Sequence, residues 1–503
     1  MHALAPAPRR PNNDGIDVGI DENVTDPRRL VAPLAAVTAL VVAMTLASVP
    51  ASATSRTAAG PLVLATAGAA SGQVVQAGLA SQVSPGLMTA RPVAEQKKRR
   101  RYTPKTGVIH TDPRRADRRK LLEHIIKSIG STRRKRYIRV ISWNVTSGGF
   151  VDKLIAAHKR GVSVRLLMSK GKAEGNGLYH RLRKALRAKR PKGARVGKKY
   201  KSWVRVCDRS CRGKRGIAHS KLFMFTKAGR ARLVVMSTSA NATEVAVKNQ
   251  WNDLYTVVGS KPIYKGFLKA FAESSRDKPV RRGYREFHGK KVVGYVYPWS
   301  GKHARGDRVM NDLKRIKCKG ATGRTGIRGR TRIRIAQDAI IDNRGIEIAK
   351  ILRRKWEAGC HIRIVYALMG KRVLGVVRNT TRGPVPIQQI VNDWDGDGVY
   401  DRYLHSKVLA VSGWFGKDRS TRISWQGSEN WSGLAKISDE QGFQIRRGGA
   451  EGVYARWVDY LFNNPPPPSP PSTLRLARAR GVDPYALIKE ELGLPVRQAG
   501  AAR

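Results

Sequence analysis

The sequence predicts an α/β protein of two similar halves, each a mostly parallel sheet flanked by helices, related by a pseudo-two-fold axis with a shared site at the seam. Two observations carry that prediction. A strand–helix–strand pattern occurs twice, and the tripeptide His-Ser-Lys lies downstream of each copy, in "IAHSKLFMF" (217–225) and "YLHSKVLAV" (403–411).

In the first half "RKRYIRVISWNV" reads as a β-branched strand, and "GGFVDKLIAAHKRGVSVRLLM" as a helix with apolar residues three and four apart running into a second strand. Nearly 200 residues later "RTRIRIAQDAI" and "RGIEIAKILRRKWEAGCHIRIVY" repeat that order, and "GVSVRLLM" (161–168) aligns with "GCHIRIVY" (359–366). A helical crossover joins parallel strands, so each half should hold a parallel pair covered by helices. The halves are expected over 107–300 and 301–463.

Each His-Ser-Lys should lie on a strand, where side chains two apart share a face; His219 would then stand beside Lys221, and His405 beside Lys407. Each has a Ser-x-Asn downstream: "TSAN" ends at Asn241, 22 residues after His219, and "GSEN" ends at Asn430, 25 after His405. An acid follows each, Asp253 and Glu440. His288-Gly-Lys290 is an internal control, because it has the His-x-Lys form but no Ser-x-Asn at the matching distance. Only the full, duplicated constellation is informative.

That constellation resembles the phospholipase D superfamily, over about residues 107–463 and including "VIHTDP" at the start. The resemblance implies a metal-independent phosphodiesterase with His219, Lys221, Asn241, His405, Lys407 and Asn430 in its catalytic site. By the resemblance His219 is the nucleophile and His405 the acid and base, although local chemistry permits the reverse. Lysines and amides would neutralise charge developing on phosphate oxygens, an imidazole would form a phosphohistidine, and the second imidazole would move the proton. Ser239 and Ser428 are expected as supporting donors, and Asp253 and Glu440 as acceptors that orient the imidazoles. The sequence departs from the family where its motif has an Asp seven residues after each His: here stand Thr226 and Ser412.

The chain carries 97 Lys and Arg against 36 Asp and Glu, a charge of +61 spread along its length, which attracts nucleic acid, anionic lipid surfaces or other polyanions. Three functions are therefore weighed: cleavage of a phospholipid headgroup at a membrane surface, metal-independent cleavage of nucleic acid, and non-catalytic polyanion binding. Because both motifs lie in one chain, a monomer suffices and no partner protein is implied.

Residues 28–54 place Arg28 and Arg29 before an apolar stretch that ends at Ala51 and Ala53, the layout of a secretory signal peptide over 1–53; an uncleaved membrane anchor is the alternative. Residues 54–106 read as a low-complexity tether ending in basic residues, and 464–503 as a Pro-rich linker and tail in which "DPYALIKEELGL" (483–494) could make a short amphipathic helix. Export permits disulfides. Of three connectivities the local one is expected, Cys207 with Cys211 and Cys318 with Cys360. Finally, "DWDGDGVYDRYL" (393–404) matches a calcium loop at Asp393, Asp395, Asp397, Gly398 and Asp401 but has Leu404 where a bidentate Glu belongs; a structural calcium site and a plain acidic turn are the two readings.

Overall fold

A computed structural model describes residues 101–446, 449–467 and 471–496. The expected signal peptide and residues 54–100 of the tether lie outside the described residues. Among those described, no helix is long and apolar enough to cross a membrane.

The first-half strands are β1 (Gly107–Thr111), β2 (Tyr137–Ile141), β3 (Ser163–Ser169), β4 (Trp203–Cys207), β5 (Leu222–Ala228), β6 (Ala231–Thr238) and β7 (Gln250–Val257). Next come β8 (Arg285–His288) and β9 (Val292–Val296), which precede residue 301 but pair in the second sheet and so move the boundary between the halves earlier than expected; the rest of the second half supplies β10 (Ile316–Lys317), β11 (Arg332–Ile340), β12 (His361–Met369), β13 (Ile387–Gln389), β14 (Val391–Asn392), β15 (Arg402–Leu404), β16 (Lys407–Phe415), β17 (Asp418–Gly427) and β18 (Gln441–Ile445). They form two sheets with matching orders: β4-β3-β2-β5-β6-β7 with β1 on β7, and β13-β12-β11-β16-β17-β18 with β9 on β18.

The two similar α/β halves are present, but the sheets are mixed. Parallel pairing joins β2, β3 and β4 in one sheet and β11, β12 and β13 in the other. The strands that follow run back as antiparallel neighbours, β2-β5-β6-β7 and β11-β16-β17-β18. The reason is local: Gly229 and Arg230 turn β5 directly into β6, as Gly416 and Lys417 turn β16 into β17, and short hairpins permit only antiparallel pairing.

Strand alternation explains the layers. Leu222 and Met224, with Val408 and Ala410, enter one central core shared by the sheets. Phe223 and Phe225 face an outer core with the helix Gly148–Lys159, while Leu409 and Val411 face another with the helix Asp342–Glu357. Sheets covered on both faces read as continuous apolar runs, as "LFMF" and "VLAV" do. The halves also share backbone: β15 pairs in parallel with β7, placing Tyr403 opposite Gln250 and Leu404 opposite Trp251, so second-half strands edge the first sheet.

Both expected cysteine pairs stand at disulfide distance, Cys207–Cys211 and Cys318–Cys360. The chain beyond the prolines does not trail away. It forms the helices Pro471–Ala479 and Ala486–Glu491, and Tyr485, Ile488 and Leu492 join the central core.

Candidate active site

Of the residues in the two His-Ser-Lys segments only Lys407 lies in a strand. His219 and Lys221 immediately precede β5, while His405 fills the break between β15 and β16, which Lys407 begins. The break lets both lysines fold back: Lys221 Nζ donates to the His219 carbonyl and Lys407 Nζ to the His405 carbonyl, each at 2.8 Å. The two ammonium groups repel each other, and each lysine lowers the proton affinity of both imidazoles, so the four groups form one electrostatic cluster. All six residues expected to be catalytic are buried.

The imidazoles are oriented across the seam. His219 Nδ1 lies 2.9 and 3.2 Å from the carboxylate oxygens of Glu440, a second-half residue. Ser428 Oγ donates to the same carboxylate and accepts from Gln441 N at 3.1 Å. Gln441 ties the halves together as well, accepting from Lys221 N at 2.9 Å and donating to the Lys221 carbonyl at 3.0 Å.

For His405 the structure corrects the expected partner. Its Nδ1 lies 3.0 Å from Oδ1 of Asn252, not from Asp253. Asn252 Nδ2 is engaged by Ala246 O and Gln250 Oε1, which fixes the amide so that Oδ1 accepts from His405 Nδ1 and, at 2.7 Å, from Ser239 Oγ. The Ser239 amide donates to Asp253 O as the Ser428 amide donates to Gln441 O, so Asn252 is the counterpart of Glu440 and Asp253 that of Gln441. Neighbours on a strand point to opposite faces, and Asp253 accordingly turns away to accept from Tyr454 OH at 3.2 Å. Burial pushes its carboxyl up to about 7. The spacing held the signal: Glu440 follows Ser428 by 12 residues, and Asn252 follows Ser239 by 13 against 14 for Asp253.

With Nδ1 of each imidazole directed at an acceptor, each Nε2 faces the site. Neither Nε2, nor Oδ1 of Asn241 or Asn430, has a hydrogen-bond partner among the described residues. Burial, reinforced by the charges of Lys221 and Lys407, holds both imidazoles well below their ordinary proton affinity. Burial works against the charges of Lys221 and Glu440 as well, and each of the two favours the ionised form of the other. Two imidazoles, two lysines and two amides thus converge, with Glu440 and Asp338 set behind them as counter-charges, so that a phosphate placed among them would meet donors on several sides.

Two further residues had no sequence signal. Asp338, at the end of β11, pairs with Lys407 Nζ at 3.0 Å. In the first half Trp143 occupies the matching position, two residues before the bridge Val145–Ala242 as Asp338 is two before Ile340–Trp431. Its ring lies 5.9 Å from Lys221 Nζ and edge-on to His219. Thr226 and Ser412 sit on β5 and β16, five residues beyond the lysines and so roughly 16 Å along an extended strand. Thr226 Oγ1 accepts from Tyr137 N and Ser412 Oγ from Gly326 N, so both hydroxyls hold backbone and neither reaches the site.

In the acidic loop, ligand atoms of Asp393, Asp395 and Asp401 lie within 4.8 Å of one another, while Asp397 is outside that group. The carboxylates also accept from the loop's own amides: Asp393 from Gly396 and Gly398, Asp395 from Asp397, Asp397 from Val399, and Asp401 from Trp394.

Residues 125–274 match the family model described as "Cardiolipin synthase, PLD-like domain". No curated protein matches the sequence. Among solved structures the chain is similar to polyphosphate kinase from Porphyromonas gingivalis, at 14% identity over 71% of this chain and 50% of that one, with a TM-score of 0.45; it thus spans half the kinase's length. It is similar to phosphatidylserine synthase from Haemophilus influenzae at 10% identity over 77% and 96% of the two chains, with a TM-score of 0.44. It is also similar to Nuc, a phospholipase D family member from Salmonella typhimurium, at 17% identity over 34% and 95%, with a TM-score of 0.25. Residues 125–274 thus carry a PLD-like domain, and the duplicated His-x-Lys constellation around it is similar to that of the phospholipase D superfamily.

Proposed function

We propose that the protein is a secreted phosphodiesterase that cleaves a phospholipid headgroup through a phosphohistidine intermediate. The observation that carries the reading is the pairing of His219 with Glu440 beside Lys221 and Lys407. A carboxylate that accepts from Nδ1 directs the Nε2 lone pair outward and stabilises the cation formed when Nε2 bonds to phosphorus. His219 Nε2 attacks phosphorus, the bond from phosphorus to the leaving oxygen breaks, and that oxygen takes a proton from His405 Nε2. His405 then removes a proton from water, whose oxygen displaces His219 from phosphorus and regenerates the site. The lysines and the Asn241 and Asn430 amides neutralise the phosphate oxygens throughout. Burial and both lysines disfavour protonated His405, so it takes its proton from solvent as substrate binds, when the phosphate's negative charge raises its proton affinity.

Release of choline or ethanolamine from vesicles in EDTA, lost in His219→Ala, is the expected result. The charge of +61 favours a second reading, a nuclease, since phosphate neutralisation gives sequence-independent affinity for nucleic acid. Plasmid nicking without headgroup release would replace the first reading with the second. Turnover of neither, with salt-sensitive polyanion binding, would point to a non-catalytic protein.

A further inference from the structure

The site is covered by the protein's own C-terminal segment. None of the six side chains that face the proposed phosphate is more than 4% exposed, which leaves a phosphodiester no path to them in this conformation. The cover is the helix Ala486–Glu491 and the residues flanking it. Ile488 is fully buried, and Gly493, at φ +68, passes so close to Ile217 that an added Cβ would stand 3.1 Å from its Cδ1. Tyr485 OH accepts from Gln389 Nε2 at 3.0 Å, and Glu490 pairs with Lys172 Nζ, so the segment is fastened to both halves across the seam.

What the segment places in the site is an anion. One carboxylate oxygen of Glu491 accepts from Asn241 Nδ2 at 3.0 Å and lies 3.9 Å from His405 Nε2. The Glu491 main chain also faces the His219 ring. Lys221, Lys172 and Lys407 attract the carboxylate, and only Asp338 among its principal neighbours repels it. That carboxylate oxygen meets two of the groups that would face a phosphate oxygen. The carboxylate cannot be cleaved, because it has no leaving alcohol.

We propose that residues 483–494 are an autoinhibitory plug, with the Glu491 carboxylate occupying the substrate phosphate's position until the segment is displaced. The inference rests on the phosphodiesterase reading for the identity of the displaced group. Burial works against the charged carboxylate and makes the seat imperfect, as a releasable plug requires. The plug belongs to the same chain as the site, so a competing substrate faces a high effective concentration of it, on the order of mM.

The test uses the full chain with two substitutions. Glu491→Gln keeps the shape and removes the charge; Ile488→Asp leaves Glu491 intact but unseats the helix. Binding of tungstate, a phosphate-like oxyanion, is measured by calorimetry, and hydrolysis of bis(p-nitrophenyl) phosphate is followed in parallel. Both variants should bind tungstate about tenfold tighter than the parent and hydrolyse the diester about tenfold faster. Tungstate affinity decides the plug: equal or weaker binding in both variants overturns it, whatever the turnover. Turnover decides the reaction: tighter tungstate binding with no hydrolysis in any form supports the plug and overturns the phosphodiesterase reading.

Discussion

The two halves share a backbone plan but differ in the chemistry around their histidines. In the first, His219 is backed by a carboxylate, Glu440, and Lys221 lies against the Trp143 ring. In the second, His405 is backed by a neutral amide, Asn252, and Lys407 is paired with Asp338. The centre of Ser-x-Asn differs too: Ala240 packs in an outer apolar core, whereas Glu429 is held by Arg308, Arg344 and Tyr297. Duplication supplies the geometry, and substitution within it makes the two histidines chemically unequal. A nucleophile gains from an acceptor carrying full charge, because it becomes a cation when bonded to phosphorus. A proton shuttle is better served by a neutral acceptor, which fixes the tautomer without trapping the proton. Each histidine is oriented from the opposite half, so neither half contains a complete site.

The largest expected effect separates the histidines. His219→Ala should abolish turnover of every phosphodiester, a loss of at least ~10³-fold, because no covalent intermediate can form. His405→Ala should lose ~10²–10⁴-fold with alkyl leaving groups. With a p-nitrophenyl leaving group, which needs no proton, it should instead release one equivalent of nitrophenolate in a burst and then stall as phosphohistidine. A burst in His219→Ala would reverse the assignment.

Exchanging the partners should have a smaller effect. Glu440→Gln is expected to lower kcat about a hundredfold while leaving KM nearly unchanged, since it removes charge from behind the nucleophile without touching substrate. Asn252→Asp should raise the proton affinity of His405 and shift the pH profile to higher pH. Identical responses to the two changes would show the halves to be interchangeable.

The smallest effect is on stability. Burial raises the Asp253 carboxyl to about 7, so the stability it contributes is fully present below its ordinary value and is lost as pH rises through about 7. Asp253→Asn has no proton to lose. Its melting temperature should match the parent's below the ordinary carboxyl value of 3.8, pull ahead as pH rises from there, and exceed it most above pH 7, by about 2–4 °C per kcal/mol recovered. A variant that loses activity throughout that pH range would return Asp253 to the catalytic machinery.

The sequence by itself determined what is local or repeated. The βαβ units, the paired His-x-Lys and Ser-x-Asn, and both cysteine pairs were legible because periodicity and spacing act over tens of residues. The antiparallel strands that follow could not be seen in apolar runs such as "LFMF", which suit any strand covered on both faces. The acceptor behind His405 was misplaced by one position, because Asp is the expected residue type for that role and a one-residue step reverses which way a strand side chain points. Trp143 and Asp338 have no motif; only the packing of β2 and β11 beside the lysines gives them a role. The tertiary structure alone decided where Glu491 lies. It stands 250 residues from Asn241 in the chain, and no local pattern carries the information that a charged tail helix closes over a buried cluster of cations.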